Sequence, residues 1–561
     1  IYKFNSKEVT FMSKNNVTKQ KERKFRRAGS VYFNSSFDLP NSGLWTYFDK
    51  VRKGQPDEYR TPFAKGQSLQ EVLDDWSPEL QSIADEWPTL LDFENDLKAK
   101  VGPMSIMKPL SERFEDIDHY YDDILLSSTP VSDSAVKAVL SEFKAVKGLR
   151  VRSQNKTLEI MKKSTNSGSP YFTKRKAVVN KTSPCKVLVT TGDAEFKHVY
   201  QYLHARKMPY KACAILGWRG QEGGPSADDV KQRVVWMFPF AVNLRELQVY
   251  QPLIESCQRF NLVPAWVSMD KVDQRITAMF DTKGSDDVVI CTDFSKFDQH
   301  FNQDMQNAAR KILSGILTKD SLSVDWLDQI FPIKYCIPLA YDFGKVRFGR
   351  HGMGSGSGGT NADETLAHRA LQYEAALAAG TKLNPNSQCL GDDGVLTYPG
   401  ITVEDVIRSY TAHGQEMNED KQYVSKHDCV YLRRWHHVNY RVDGICVGVY
   451  STYRALGRLM EQERFYDSDK WSAVMVALRQ LSIIENVKYH PLRSQFAEFC
   501  MKRDKYRLGL DIPGFLDDID KIAKEAIEYM PDFLGYTKSM ARDEMKGLST
   551  WWIVNYLKSK R

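Results

Sequence analysis

Several absences set the first limits. No C-x-x-C pair occurs among the nine cysteines of this 561-residue chain, which removes the usual signatures of a structural zinc site or a disulfide framework and predicts a reducing compartment. No apolar run is long: the longest, Val234 to Val242, has nine residues, against the roughly 18 or more of a membrane-spanning helix. The start is basic with no apolar segment behind it, so no secretory leader is expected and the chain reads as soluble and non-secreted. There is no internal repeat, no long low-complexity tract and no G-x-x-x-x-G-K-[ST] phosphate loop, which excludes repeat architectures and Walker-type NTPases. What is present is ample for burial. With 42% apolar and 12% aromatic residues most of the chain should fold, and its length predicts three or four structural units.

Charge is informative by location. The formal net charge is +7, and residues 1–30 alone hold nine Lys/Arg against two Asp/Glu, so the remainder is neutral overall. The cluster Lys19, Lys21, Arg23, Lys24, Arg26 and Arg27 reads first as a solvated tail and second as a contact to RNA or a shell. Residues 71–125 are acidic, with 15 acids against 4 bases, whereas residues 141–190 carry 12 bases against 2 acids. Tyr171 and Phe172 lie inside the basic block, a mixture that can follow a phosphate backbone and stack bases. A solvated helical face gives the same counts.

The chemistry concentrates on carboxylates. Val288-Val289-Ile290-Cys291-Thr292 predicts a buried strand that delivers Asp293 at its end, and Asp298 follows after a turn. Cys389-Leu390-Gly391-Asp392-Asp393-Gly394-Val395-Leu396 predicts a tight hairpin with two carboxylates at its tip. Either element alone is matched by surface acids or an ordinary turn. Together, 99 residues apart, they suit side-by-side strands whose three carboxylates hold two Mg²⁺ ions about 3.5–4 Å apart, the arrangement used in phosphoryl transfer.

Between them runs His351 to Asn361, glycine-rich and opening a helix that extends to Gly380. Gly354, Gly356 and Gly359 fit G-x-G-x-x-G, so a nicotinamide-type Rossmann enzyme is the rival enzyme class. Lys345 and Arg347 in the preceding strand, and the lack of a regular βαβ series, argue against it. A structural RNA-binding virion protein is the rival of a different class.

The order D-x-x-x-x-D, S-G-x-x-x-T, G-D-D resembles the palm of viral RNA-dependent RNA polymerases, most closely those of picobirnaviruses and more distantly of partitiviruses, over residues 160–435. That resemblance implies an α+β right-hand polymerase with an antiparallel palm sheet, an encircled active site and an N-terminal extension. Its parts are expected at 1–150 (extension bridging fingers and thumb), 151–285 (fingers), 286–311 (palm), 312–350 (fingers insertion), 351–434 (palm) and 435–561 (thumb and tail).

The resemblance also implies roles. Asp293 and Asp392 match the metal-binding aspartates, with Asp393 as outer or alternating ligand, for two Mg²⁺ or Mn²⁺ ions. Asp298 matches the residue that accepts from the ribose 2′-hydroxyl. Ser355 and Gly356 match the loop that senses the template base, and Thr360 the hydroxyl that supports sugar recognition. Where many relatives carry Asn, this chain has Glu364, which would repel Asp298 unless one acid is protonated. Glu364 is therefore left out of the expected site, and Asn361 is kept.

Lys231 and Arg233 alternate with period two and share one face of a strand, matching the cationic roof over the triphosphate, with Arg219 beside it. Ser167, Gly168, Pro170 and Tyr171 resemble the template-entry motif. Lys421 matches the lysine that protonates departing pyrophosphate, with Lys426 as fallback. Arg433 and Arg434 resemble the primer-gripping hairpin. Trp551, Trp552 and Tyr556 read as helix packing, with a platform in the product cavity as the alternative. The implied partners are RNA template, nascent RNA, NTPs and a viral capsid protein. The implied locations are the virion interior and host cytoplasm.

Overall fold

The computed structural model of the chain describes residues 43–190, 197–467, 469–527 and 544–561. The basic cluster Lys19 to Arg27 lies outside the described residues.

Strands β1 (Lys186–Val189), β2 (Val199–Tyr202) and β3 (Tyr210–Ala212) form one antiparallel sheet. β4 (Ala214–Gln221) and β5 (Lys231–Met237) pair antiparallel through seven residue pairs, and the burial of β5 alternates along its second half while Lys231 and Arg233 stay exposed. β6 (Val289–Thr292) is buried at every position, as its unbroken apolar run requires. β7 (Leu339–Asp342) and β8 (Lys345–Arg347) return to the β4–β5 sheet, β7 lying parallel to β4 and antiparallel to β8. One parallel pair in a four-stranded mixed sheet, with β8 at its edge, is not a doubly wound dinucleotide fold.

β9 (Gln388–Leu390), β10 (Asp393–Leu396) and β11 (Tyr423–Ser425) join β6 in an antiparallel sheet of order β11-β6-β10-β9. β12 (Asp428–Tyr431), β13 (Arg434–His437) and β14 (Val449–Tyr450) make a last antiparallel sheet. The long helix Thr360–Ala378 starts directly after the glycine-rich loop and packs against β9.

Residues 63–101 and 435–557 share one apolar core, with Trp76, Leu456 and Phe496 fully buried, each contributing on the order of 2–3 kcal/mol. Polar pairs stitch the same seam: Trp76 Nε1 donates to Thr452 Oγ1 (2.8 Å) and Trp435 Nε1 to Thr89 Oγ1 (3.1 Å). Glu94 and His490, both fully buried, are paired at 3.2 Å.

A further helix runs Thr452–Met460. Ser451 caps its start through the Arg454 N–H, and at its end the Met460 carbonyl accepts from the Thr61 N–H. Trp551, Trp552 and Tyr556 pack half-buried on the shared core, where Glu485 accepts from the N–H groups of Trp552 and Ile553 at the start of the helix Trp552–Lys558. All nine cysteines are buried free thiols. Among the described residues no helix is long and apolar enough to cross a membrane.

Candidate active site

The β6–β10 register sets Thr292 opposite Gly394, so the next residues outward, Asp293 and Asp393, face each other at the sheet end. Gly391 and Asp392 form the two-residue turn, with Gly391 at φ +58°, a left-handed conformation that glycine adopts without strain. Two side chains of the helix Thr360–Ala378 hold this turn: Thr365 Oγ1 accepts from the Gly391 N–H (2.9 Å), and His368 Nδ1 meets the Gly391 carbonyl (2.8 Å). Burial pushes His368 down to about 4, so at neutral pH it is uncharged and donates through that nitrogen. Gln422 clasps Asp293 from both sides, its Oε1 accepting from the backbone N–H and its Nε2 donating to the carbonyl, both at 2.8 Å.

These carboxylates open on a cavity of about 780 Å³. Burial raises Asp293 above the ordinary carboxylate range; Lys421 and Lys100 oppose the rise and Asp392 adds to it. Burial, then the Asp392 charge, push Asp393 up to about 7, although Asp393 Oδ2 accepts from the Leu432 N–H at 2.8 Å. Acids raised in a cleft by burial and a neighbouring like charge are held there for a cation or a proton. Asp293 and Asp392 face the cavity and Asp393 is partly engaged, a hard-oxygen donor set that fits divalent cations. Among the described residues no group of three or more His, Cys, Asp or Glu side chains already stands in ligating geometry.

Around the carboxylates stand Arg219, Lys231 and Arg233 from β4 and β5, Lys421 from the turn Glu419–Lys421, and Arg433. Arg219 Nε is paired with Glu463 Oε1 at 2.8 Å, and Arg233 Nε donates to Gln221 Oε1 at 2.6 Å. Burial lowers Lys231, and Lys100, Arg233 and Arg433 add to that shift. Arg433 is lowered to about 10 by burial and then by Arg454, while Glu222 opposes. At Glu222 burial raises, but Arg454, Arg458 and Arg433 outweigh it and the carboxyl lies below its ordinary value.

The glycine-rich loop seats against β5. Ser355 Oγ donates to the Val234 carbonyl (3.3 Å), the Gly356 carbonyl accepts from Asn243 Nδ2 (3.2 Å), and Glu246 accepts from Ser357 and from the Gly358 N–H (3.1 Å). The Met353 N–H donates to the Asp298 carbonyl at 2.9 Å, which ties the loop to the turn after β6. Thr360 Oγ1 donates to the Ser357 carbonyl (3.1 Å).

Other expected residues are engaged by partners within the protein. Asn361 Oδ1 accepts from Trp266 Nε1 at 2.7 Å. Arg434 is half-buried in a two-pronged pair with Asp273 (2.8 and 3.0 Å) and does not line the cavity. Lys426 is 3.9 Å from Asp286 and also lies away from it. Ser167 and Pro170 are buried; Ser167 Oγ accepts from the Thr173 N–H (3.1 Å), Gly168 takes φ +60°, and the half-buried Tyr171 ring packs near Tyr210 with Lys181 5.7 Å from its centroid. None of these four lines the cavity.

Lys100, Arg454, Arg458 and the clasping Gln422 were not signalled by sequence, although Arg454 and Arg458 are spaced four apart and so share a helix face. Glu364, set aside as repulsive, is buried, and burial, then the Asp298 charge, push its carboxyl well above the ordinary range.

A cavity walled by the β4–β5 sheet, floored by the carboxylate sheet and closed by helical segments from both ends of the chain is that of a right-hand polymerase. Residues 54–442 match the family described as viral RNA-dependent RNA polymerase, and the chain belongs to that family. A potential RNA-dependent RNA polymerase of human picobirnavirus is 62% identical over 531 residues, covering 94% of this chain and 98% of that relative. The crystal structure of the RNA-dependent RNA polymerase of a human picobirnavirus superimposes with a TM-score of 0.88 at 61% identity, over 95% of this chain and 99% of the other. An insertion-loop deletion mutant of such a polymerase gives 0.86 at 60%, with the same coverage.

Proposed function

We propose that this chain replicates and transcribes a segmented double-stranded RNA genome by transferring nucleoside monophosphates from NTPs to an RNA 3′-hydroxyl, releasing pyrophosphate. The observation that carries the reading is the meeting of Asp293 and Asp392 in one cavity with Lys231, Arg233 and Lys421 around them.

Asp293 and Asp392 would hold two Mg²⁺ or Mn²⁺ ions, with Asp393 as outer ligand; ions there supply Lewis-acid activation of the 3′-hydroxyl and neutralise the triphosphate. Lys231 and Arg233 bind the triphosphate, with Arg219 alongside when Glu463 releases it. Lys421 holds a proton over the leaving pyrophosphate. Asp298 accepts from the ribose 2′-hydroxyl, while Ser355, Gly356 and Thr360 shape the loop that follows the nascent pair. The Ser167 to Tyr171 turn frames the incoming template and Arg433 steadies the primer strand. The division into extension, fingers, palm and thumb follows the boundaries given above. A start without a primer, a capsid partner and residence in the virion interior and host cytoplasm rest on the resemblance alone.

The test is nucleotide incorporation on single-stranded RNA with Mg²⁺ or Mn²⁺. Asp392→Ala combined with Asp393→Ala is expected to abolish incorporation while RNA retention is kept, and undiminished synthesis would defeat the assignment.

A further inference from the structure

Strand register shows how Asp293 is held. β11 pairs with β6 through Tyr423 and Cys291, Val424 and Ile290, and Ser425 and Val289, and the same register would set Lys421 opposite Asp293. The ladder ends before that pair. The chain enters β11 from the turn Glu419–Lys421, in which the Lys421 N–H donates to the Asn418 carbonyl at 3.1 Å, so the main chain of Asp293 needs another partner. The Gln422 amide supplies it, Oε1 accepting from the Asp293 N–H and Nε2 donating to the Asp293 carbonyl, both at 2.8 Å. These are the two bonds that a facing residue of an antiparallel strand exchanges.

The same amide holds the turn that carries Lys421. Gln422 Nε2 also donates to the Asn418 carbonyl at 2.9 Å, and Asn418 Oδ1 accepts from the Asp420 N–H at 3.0 Å. Both donors and the acceptor of the Gln422 amide are thereby engaged, in a side chain only 8% exposed. Asp293 and Lys421, by contrast, both line the cavity. A second tie, from the Ser295 N–H to the Glu416 carbonyl at 2.9 Å, docks the same two segments independently of Gln422.

We propose that Gln422 is a positioning residue that couples the metal-binding carboxylate to the proton donor: it stands in for the missing strand partner of Asp293 and fastens the Lys421 turn to the same main chain. The proposal rests on the polymerase reading above. Groups that orient a metal ligand decide on the order of 10–100-fold in metal affinity or activity. Here one buried side chain orients the ligand and places the lysine, so the two keep one spacing.

The experiment reads three quantities on the full chain: Mn²⁺ binding by electron paramagnetic resonance without NTP, steady-state incorporation on single-stranded RNA, and the melting temperature. Asp293→Ala supplies the background of the Mn²⁺ signal. Gln422→Met keeps the length without the amide, and Gln422→Asn keeps an amide one methylene too short to span both Asp293 groups. Each is expected to bind Mn²⁺ at least about tenfold more weakly and to lose at least about tenfold of kcat, with the KM for ATP within about threefold because Lys231 and Arg233 are untouched. In a Lys421→Leu background Gln422→Met should weaken Mn²⁺ as before but cost less of kcat, because the part that acts through the lysine is already gone. Wild-type Mn²⁺ affinity in a folded Gln422 variant, whatever its melting temperature, or a kcat loss undiminished by Lys421→Leu, would overturn the proposal alone. Absence of any incorporation by the wild-type protein would instead overturn the polymerase reading, and this proposal with it.

Discussion

Gly356→Ala tests how tightly the glycine-rich loop is seated. A Cβ at this position would lie 1.5 Å from the Trp236 carbonyl oxygen and 2.7 Å from its carbon. The contact must open by about 1.5 Å before it reaches the 3.0 Å that real Cβ atoms respect. Trp236 cannot give way: its backbone is paired with Leu216 in β4, its ring is fully buried, and it lies 4.2 Å from the His351 ring. The loop must therefore move, carrying Ser355 off the Val234 carbonyl and loosening the Met353 link to Asp298. Misplacement of catalytic groups by about 1 Å can cost roughly 100-fold, so kcat/KM for NTP should fall about 100-fold, or about 2.7 kcal/mol of activation free energy. Gly358→Ala is the control, because its Cβ meets the Leu247 side chain at 3.0 and 3.2 Å, and that side chain can rotate away. It should stay within about threefold of wild type. Incorporation kinetics on single-stranded RNA, read beside the melting temperature, decide the matter: a Gly356→Ala enzyme of wild-type rate and stability would refute the close seating.

Three further outcomes follow from particular contacts. Lys100→Ala should raise the NTP KM about fivefold at low salt, less at high salt, because Lys100 acts on both Lys231 and Asp293 and exposed charges are screened; a salt-independent KM equal to wild type would remove Lys100 from the site. Arg434→Ala should cost about 3–5 kcal/mol by leaving buried Asp273 unpaired, seen in the urea midpoint. A loss of RNA affinity at unchanged stability would restore Arg434 to an RNA-gripping role. Glu461, fully buried beside Glu58 with Arg60 Nε 3.8 Å away, is pushed up to about 9 by burial and then by Glu58. The folded state then binds more protons than the unfolded chain, so this group lowers stability progressively as pH rises from the ordinary carboxylate range towards 9. Glu461→Gln should melt higher than wild type at pH 8 and equally at pH 4, and parallel melting curves across that range would contradict the assignment.

The residues legible in the sequence are those whose geometry is local. A buried run ending in Asp293, a Gly-Asp-Asp-Gly turn between two β-forming runs, and cations spaced by two on one strand each state their own structure, and all converge on one cavity. What escaped depends on long-range packing. Lys100 reaches the cavity only because residues 63–101 dock on the C-terminal helices, and the helix after Ser451 ends at Met460 because Thr61, far away in the chain, takes its carbonyl. Asn361 and Arg434 carry suitable groups at plausible spacings, yet their partners, Trp266 and Asp273, are 95 and 161 residues distant. Glu364 was visible as a departure from the family pattern. Its burial beside the Asp298 charge, which pushes it well above the carboxylate range, is what the pattern did not show.

The seam between the two ends of the chain has a consequence for biosynthesis. Trp76 bonds to Thr452, 376 residues later, so at roughly 5–20 residues per second the ribosome takes about 20 to 75 seconds to supply the partner. Through that interval the helix Leu69–Leu80 carries Val72, Leu73, Trp76 and Leu80 with their final cover not yet made. The nascent chain must shelter this face until its last fifth emerges, which makes late truncations far more costly to solubility than their length suggests.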